Sequence, residues 1–270
     1  MKTKTKKKLL TILAIMLILP SFAFAQTVKE AVEAYNAGAS LINTDPEMAL
    51  EHLNTALILC EDLEYEGKET LELVEGLLPT AHLKYAMILY KEKKMDVTLE
   101  QLEKARETAK KYGDRSTLTR AEKIIPQLYN QMGNSEYRSD NYEKAISYYK
   151  KTIEVKEDYP DPYLGIALSY EKQEDFDSML EWLEKTIEVS NQVNDRDKAD
   201  DALRKAKGYL IRKGDEAQKE KNFTEAIEWF EKILGFDTTD GSVFYVISVN
   251  YSELKEWNKV IEYSKLALEN

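Results

Sequence analysis

Cysteine, histidine, glycine and proline are all scarce in this chain of 270 residues. Cys60 is the only cysteine, so no disulfide can form within the chain, and we expect a buried, inert thiol. His52 and His82 are the only histidines, whereas a zinc site normally needs three or four protein ligands. Ten glycines and six prolines are too few for a turn-rich all-β fold, and 43% hydrophobic residues are ample for a packed core. The composition therefore favours helices.

Sequence motifs for catalysis are also missing. The chain has no G-x-S-x-G, no G-x-x-x-x-G-K-[ST], no G-x-G-x-x-G and no H-E-x-x-H. Acidic runs such as 61–66 and 171–177 are typical of the solvated faces and turns of helical proteins. We therefore predict a protein that is not an enzyme and that has no cofactor and no metal site.

The first 25 residues differ in character from the rest. Five lysines between Lys2 and Lys8 precede an apolar stretch from Leu9 to Leu19, and Ala23-Phe24-Ala25 follows. A charged region, a short apolar region and an Ala-x-Ala exit are the pattern of a secretory signal peptide. We predict that residues 1–25 are removed on export. Because no cysteine lies at the cleavage site, we expect no lipoprotein and no stable membrane anchor, but a periplasmic or secreted product.

The remaining chain is strongly acidic. The whole sequence carries an excess of 11 negative charges, and removing the five lysines of the predicted signal peptide raises the excess to 16. Nucleic acids and anionic membranes would repel such a chain, since binding to them depends mainly on neutralising phosphates. Nucleic acid is therefore excluded as a partner.

Two amphipathic patterns follow each other between residues 129 and 155. In the second pattern, apolar or small residues recur at helical spacing, at Tyr142, Ala145, Ile146, Tyr149, Thr152 and Ile153. In the first pattern they are Tyr129, Met132, Gly133 and Tyr137. A polar turn, 139–141, separates them, and similar pairs begin at Tyr163, Leu210 and Phe244. The sequence thus predicts repeated helix-turn-helix units.

These units resemble the tetratricopeptide repeat (TPR) family, whose 34-residue helix pairs stack into a right-handed superhelix. The family has a small residue midway along each first helix, which corresponds here to Gly38, Ala86, Gly133, Ala167, Gly214 and Ser248. It has another early in each second helix, for which Ala49, Ala145 and Ala226 are the best matches. The resemblance implies an all-α solenoid of about six repeats filling residues 26–270, roughly at 31–63, 79–112, 126–159, 160–193, 207–240 and 241–270.

Three first helices are expected to be about two turns longer than usual. The additional residues lie roughly at 66–78, 113–125 and 194–206 and carry a helical pattern of their own, with Ser116 as a predicted N-cap. Residues 126–193 and 207–270 also form two tandem pairs of repeats that are offset by 81 positions, in which Tyr149 corresponds to Phe230. This offset indicates duplication of a two-repeat block.

The resemblance implies a protein-interaction scaffold or adaptor, since the first helices of TPR proteins line a concave groove that binds a peptide or a partner protein. Together with the predicted export, this implies an adaptor in the cell envelope. The residues that would face the groove, and so are candidates for partner binding, are Met87, Tyr90, Lys91, Asn130, Asn134, Tyr137, Arg138, Leu168, Glu171, Lys172, Asp215, Lys219, Tyr245 and Val249.

Two alternatives stay open at this stage. The groove could bind a small molecule or glycan, with Tyr90, Tyr137 and Tyr245 as stacking platforms. Tyr137 and Arg138 are the strongest candidates for partner contact, yet Tyr137 could instead pack against the next repeat while Arg138 pairs with a neighbouring acid, Glu136 or Asp140.

The C-terminal helix raises a further expectation. We expect Trp257 to pack between helices, as the bulky residue that opens a second helix. Because solenoids generally need a capping element over the last apolar face, the face of the final helix is expected either to self-associate or to bind the partner.

Overall fold

The computed structural model describes residues 27–63 and 65–270, and the predicted signal peptide lies outside them. In the described residues the chain forms twelve α-helices and no strand, which confirms the all-α repeat fold. In chain order the helices are α1 27–41, α2 Pro46–Asp62, α3 Lys68–Lys91, α4 Met95–Tyr112, α5 Arg115–Arg138, α6 Tyr142–Val155, α7 Pro160–Lys172, α8 Phe176–Gln192, α9 Arg196–Lys219, α10 Phe223–Phe236, α11 Gly241–Glu253 and α12 Trp257–Glu269.

In chain order, α1, α3, α5, α7, α9 and α11 correspond to the first helices of the predicted repeats. The expected lengthening is confirmed, because α3, α5 and α9 each have 24 residues whereas α7 and α11 have 13. Helices that follow each other along the chain pack together, from α2 to α4 and from α6 to α12. No helix in the described part of the chain is long and apolar enough to span a membrane.

The chain divides into two compact units, of which the first ends at Leu128 and the second begins at Tyr129, within α5. A buried cluster of the first unit joins α2 to α3 through Leu53, Val74 and Leu78. The main cluster of the second unit runs from α7 to α11 and includes Leu210 and Ile233. Burial of the apolar stripes accounts for most of the stability of such helices.

The turns and helix starts depend on local polar chemistry. Asp175 and Asp195 cap α8 and α9 by accepting hydrogen bonds from backbone N–H groups three residues ahead. The prediction of Ser116 as the N-cap of α5 is wrong. The helix already begins at Arg115, so Ser116 lies inside it, and the carboxylate of Asp114 accepts the hydrogen bond from the Thr117 N–H at 3.0 Å.

Glycines let aromatic rings enter the helix crossings of the second unit. A Cβ atom on Gly133 would lie 2.6 Å from Cε1 of Tyr149, and one on Gly165 would lie 2.6 Å from Cζ of the same ring. A Cβ atom on Gly214 would lie 2.5 Å from Cζ of Phe230. The Tyr149 ring therefore packs against two glycine surfaces, and the predicted close crossings at Gly133 and Gly214 are confirmed.

Trp257 does not pack as expected, since 60% of its surface is exposed. Phe176, which opens α8, stacks on Tyr209 of the following first helix with a ring-centroid distance of 4.6 Å. Trp257 opens α12, and no aromatic ring of the described residues stacks on it. Helix α12 has no buried residue, and Ile261 and Leu268 are also exposed.

Candidate functional site

Three cavities recur in the second unit, each between two successive first helices. Cavity A lies between α5 and α7 and has a volume of about 450 Å³, cavity B lies between α7 and α9 with about 250 Å³, and cavity C lies between α9 and α11 with about 350 Å³. The second helix between them contributes the floor, through Tyr149 in A, Met179 and Leu183 in B, and Phe230 in C. We call the three cavities together the groove.

Polar groups of cavity A lie along one face of α5. Asn130, Asn134 and Arg138 are spaced four residues apart and all line the cavity. Oδ1 of Asn134 accepts a hydrogen bond of 2.8 Å from the Tyr149 hydroxyl. Nδ2 of Asn130 donates to the Tyr159 hydroxyl at 3.2 Å, while Oδ1 of Asn130 is buried and has no partner in the described residues. The arrangement leaves the Nδ2 group of Asn134 and the guanidinium of Arg138 as hydrogen-bond donors for a ligand.

The two strongest sequence candidates have different environments in cavity A. Tyr137 is half-buried, packs against the cluster around Tyr149 and Ile166, and meets the Tyr142 ring edge-on at a centroid distance of 5.7 Å. Arg138 is exposed and has no ion pair within residues 27–63 and 65–270. The two acids expected to pair with Arg138 have other partners. Glu136 accepts a hydrogen bond from Asn141, and Asp140 accepts one from the Tyr142 hydroxyl. Arg138 is therefore available to a ligand.

Burial raises the pKa of two tyrosines around cavity A. Burial raises the pKa of Tyr149 to about 12, and the neighbouring Tyr137 adds to the shift. The pKa of Tyr159 is also raised to about 12, first by burial and then by the charge of Asp161, whose carboxylate pairs with Lys198. These hydroxyls stay protonated at neutral pH and act as hydrogen-bond donors.

Cavity B is lined by basic residues that were not predicted from the sequence to face the groove. Arg204, Lys205 and Arg212 of α9 line it together with Gly208, and Glu171 lies on the α7 side. Arg204 and Lys205 lie in the added turns of α9, whereas Gly208 and Arg212 lie beyond them and before Asp215, the first residue of α9 that was predicted to face the groove. The available signal was a basic face with a glycine at its centre, at positions 204, 208 and 212.

Cavity C is the most apolar of the three. Ile211, Val246 and Val249 line it, and Tyr245 lies at its edge with 61% of its surface exposed. Asp215 supplies one carboxylate. Gln218 donates from Nε2 to Oδ1 of Asn250 at 3.0 Å, which holds its side chain against α11. The cavity can accept an apolar side chain.

Two stretches of the second unit match models of known repeat families. Residues 133–174 match the TPR repeat and residues 207–240 match the tetratricopeptide repeat. These two stretches are thus similar to tetratricopeptide repeats. Proteins built from these repeats are in general protein-interaction scaffolds that bind protein or peptide partners.

The chain is similar to several known proteins. Stress-induced-phosphoprotein 1 of Caenorhabditis elegans is 30% identical over 103 residues, which are 38% of this chain and 30% of that protein. Among solved structures, MamA is 18% identical, with a TM-score of 0.30, over 64% of this chain and 88% of that one. The C-terminal part of a TPR protein from Cytophaga hutchinsonii is 16% identical, with a TM-score of 0.31, over 84% of this chain and 97% of that one. Because these TM-scores are low, the all-α repeat fold is assigned from the helices of this chain and not from these structures.

The structure brings only some of the predicted site residues of this chain together. Leu168 lines both cavity A and cavity B, and Glu171 lines cavity B. Lys172 and Lys219 are exposed but outside the linings of cavities A to C, and Met87, Tyr90 and Lys91 belong to α3 of the first unit. The proposed stacking trio does not converge within the groove, since Tyr137 and Tyr245 line different cavities.

The structure also shows the surroundings of Cys60 and His82. Cys60 is buried, and burial raises the pKa of its thiol. His82 is half-buried with Nδ1 2.8 Å from Oε1 of Gln101, and burial lowers the pKa of its ring. In the described residues no three side chains of His, Cys, Asp or Glu are grouped so that they could hold a metal ion.

Proposed function

We propose that this chain is an exported, non-catalytic TPR adaptor of the cell envelope that binds an extended segment of a partner protein in the groove. The observation that carries the proposal is the recurrence of a cavity between each successive pair of first helices, from α5 to α11. Successive cavities with different linings suit successive residues of one extended chain.

The chemistry of the groove supports a peptide as the ligand. A peptide backbone offers C=O groups, which match the amide N–H groups of Asn134 in cavity A, for which no partner is present among the described residues. The exposed Tyr245 and Val249 at cavity C suit an apolar side chain of the partner. Aromatic residues and arginine, such as Tyr245 and Arg138, are enriched among residues that dominate binding energies.

A capture experiment from envelope extract tests the proposal. The purified protein, a variant with Arg138→Glu and Tyr245→Ala, and a control with Lys150→Glu on the exposed side of α6 are compared. Tyr137 is not replaced, because its packing in the core would confuse binding with stability. We expect the wild type and the control to capture the same stoichiometric partner and the double variant to lose it. Equal capture by all three proteins would place the binding surface outside the groove.

A glycan array separates the alternative class of ligand. A sugar that binds the protein while no protein partner is captured would favour the glycan-binding module. In the structure the only groove tyrosine with a widely exposed ring is Tyr245, and one exposed ring gives a sugar little to stack on.

The export part of the proposal is supported by the sequence pattern of residues 1–25. Intact-mass analysis of the protein from its native cells tests it, and we expect a mature species that begins at Gln26. A species that retains Lys2 to Lys8 would make the segment an anchor and would contradict a soluble envelope location.

Helix α12 supports a second contact surface, for self-association. Trp257, Ile261 and Leu268 expose 60%, 57% and 89% of their surfaces, which is unfavourable in water unless they are covered. Sedimentation analysis of the wild type and of an Ile261→Glu variant tests this. We expect the variant to have the smaller mass, and equal monomeric masses would exclude self-association through α12.

A further inference from the structure

Cavity B concentrates positive charge in an otherwise acidic protein. The chain carries an excess of 11 negative charges, yet the lining of cavity B includes Arg204, Lys205 and Arg212, with Glu171 as its only acid. All three basic side chains are exposed. A local positive potential of this kind attracts an acidic ligand group to one place on the protein surface.

Two of these three cations have no acidic partner among the residues that the structure describes. Arg204 forms an ion pair with Asp201 one turn earlier on α9, so its charge is already balanced by a carboxylate of the same helix. In the described residues Lys205 and Arg212 form no ion pair, and the guanidinium of Arg212 lies 6.0 Å from the ring centroid of Tyr209. The neighbouring Lys213 is paired with Glu216, so it does not compete. Lys205 and Arg212 therefore remain to bind an anionic group.

The centre of cavity B has space for a ligand side chain. A Cβ atom on Gly208, between the two cations in sequence, would meet nothing within 4 Å, unlike one on Gly133 or Gly214. The floor below consists of the buried Ala167, Met179 and Leu183. An apolar stem can therefore lie over this floor while a charged end stays at the rim.

We propose that cavity B is an acidic subsite of the groove, in which Lys205 and Arg212 bind the carboxylate of an aspartate or glutamate of the partner segment above Gly208. This inference rests on the proposed function, that the groove binds an extended segment. Leu168 lines both cavity A and cavity B, so a segment that lies in cavity A continues over Leu168 into cavity B. Because cavity B lies between cavities A and C, an acidic residue bound in it is internal to a segment that occupies all three.

Selection from a random peptide display library tests the subsite without knowledge of the natural partner. We expect the wild type to select peptides with an aspartate or glutamate at one fixed position. A selected peptide in which that residue is changed to Gln or Asn should bind the wild type about tenfold more weakly. A variant with Lys205→Glu and Arg212→Glu should no longer distinguish the two peptides. Lys144→Glu with Lys150→Glu on α6 makes the same change in net charge and should keep the preference.

Filling the cavity provides an independent measurement. Gly208→Leu places a side chain in open space, and Gly235→Leu does the same on α10 outside the groove linings, so both variants should fold. We expect Gly208→Leu to weaken the acidic peptide at least tenfold and Gly235→Leu to leave its affinity unchanged. Equal affinities of these two variants would overturn the subsite.

The outcomes distinguish the subsite from the groove itself. Peptides that lose binding with Arg138→Glu but show no preference for an acidic residue would overturn the subsite and leave the proposed function in place. If no selected peptide depends on any groove residue, both the proposed function and the subsite are wrong.

Discussion

The hydroxyl of Tyr149 donates a hydrogen bond of 2.8 Å to Oδ1 of Asn134, and so connects the core of the second unit to the groove. The Tyr149 ring is 1% exposed and forms the floor of cavity A, whereas Asn134 is half-buried at its wall. Because the carbonyl side of the amide is occupied, the Nδ2 group of Asn134 is the side that is left for a ligand. Core packing thereby orients a candidate binding group.

Removal of this hydroxyl is expected to destabilise the protein moderately. Tyr149→Phe keeps the ring between its glycine surfaces but leaves Asn134 without its donor, which should lower the free energy of unfolding by about 1 kcal/mol. Urea denaturation measures the change. Tyr142→Phe is the matched control, since its hydroxyl bonds to the exposed Asp140 and its loss should cost less than about 0.5 kcal/mol. Equal losses would show that the Tyr149 bond has no special value.

Alkaline pH should unfold the protein partly through the same residue. The pKa of Tyr149 is raised to about 12 in the folded state, chiefly by burial, above an unfolded value of about 10. The folded state therefore holds the proton more tightly, and this stabilisation is complete below pH 10 and is lost as the pH rises to 12. We expect the free energy of unfolding to fall in this interval.

The Tyr149→Phe variant checks the assignment of that pH effect. Its free energy of unfolding should fall less steeply between pH 10 and 12 than that of the wild type, because one tyrosine with a raised pKa is missing. Tyr159, with its own raised pKa, should account for part of the remaining slope. Parallel curves for the two proteins would contradict the contribution of Tyr149.

Alanine replacements of two helical glycines are expected to have opposite effects. Gly133→Ala gains helix propensity, but its Cβ would lie 2.6 Å from the Tyr149 ring, and such overpacking typically costs about 1 to 3 kcal/mol. Gly208→Ala meets nothing within 4 Å and should stabilise α9 by up to about 1 kcal/mol. Denaturation midpoints of the two variants measure the difference. A stabilised Gly133→Ala protein would mean that the Tyr149 ring can move aside.

The repeat fold could be predicted from sequence because its packing depends on residue size at fixed spacing. Gly133, Gly214, Ala145 and Ala226 had to be small at helix crossings, and all four are at or near such contacts. The second glycine surface of Tyr149, at Gly165, was not predicted. It lies in the middle of an apolar helix, where a pattern of hydrophobicity does not show which ring it touches.

The candidate site was predicted less completely, for physical reasons. Asn130, Asn134 and Arg138 converge because four-residue spacing places side chains on one helix face. Arg204 and Lys205 of cavity B were missed, since the added turns of α9 have no counterpart in an ordinary repeat. Arg212 lies beyond those turns and was missed because the predicted groove residues of α9 begin at Asp215. Whether Tyr137 packs or faces a ligand depended on its contact with Tyr142 in the next helix, which spacing along one helix does not give.

Left-handed turn residues offer a simple route to a more stable protein. Lys221, in the turn between α9 and α10, has a φ of 61°, a conformation that costs a residue with a Cβ atom about 1 to 2 kcal/mol. We expect Lys221→Gly to raise the free energy of unfolding by about 0.5 to 1 kcal/mol, since glycine adopts this conformation without strain. Lys150→Gly, an identical replacement inside α6, should lower it by about 1 kcal/mol. If Lys221→Gly is also destabilising, the lysine side chain makes a contact that outweighs the strain.

The exposure of Trp257 can be tested against its counterpart in an earlier repeat. Phe176 stacks on Tyr209, so Phe176→Ala should destabilise the protein by about 2 kcal/mol or more, whereas Trp257→Ala should cost less than about 0.5 kcal/mol because 60% of its surface is already in water. In a variant that keeps Trp257 but has Trp182→Phe and Trp229→Phe, acrylamide should quench the fluorescence nearly as well as that of a free indole. Protection that rises with protein concentration would show that copies of the chain cover α12. Protection that is independent of concentration would contradict the exposed position of Trp257.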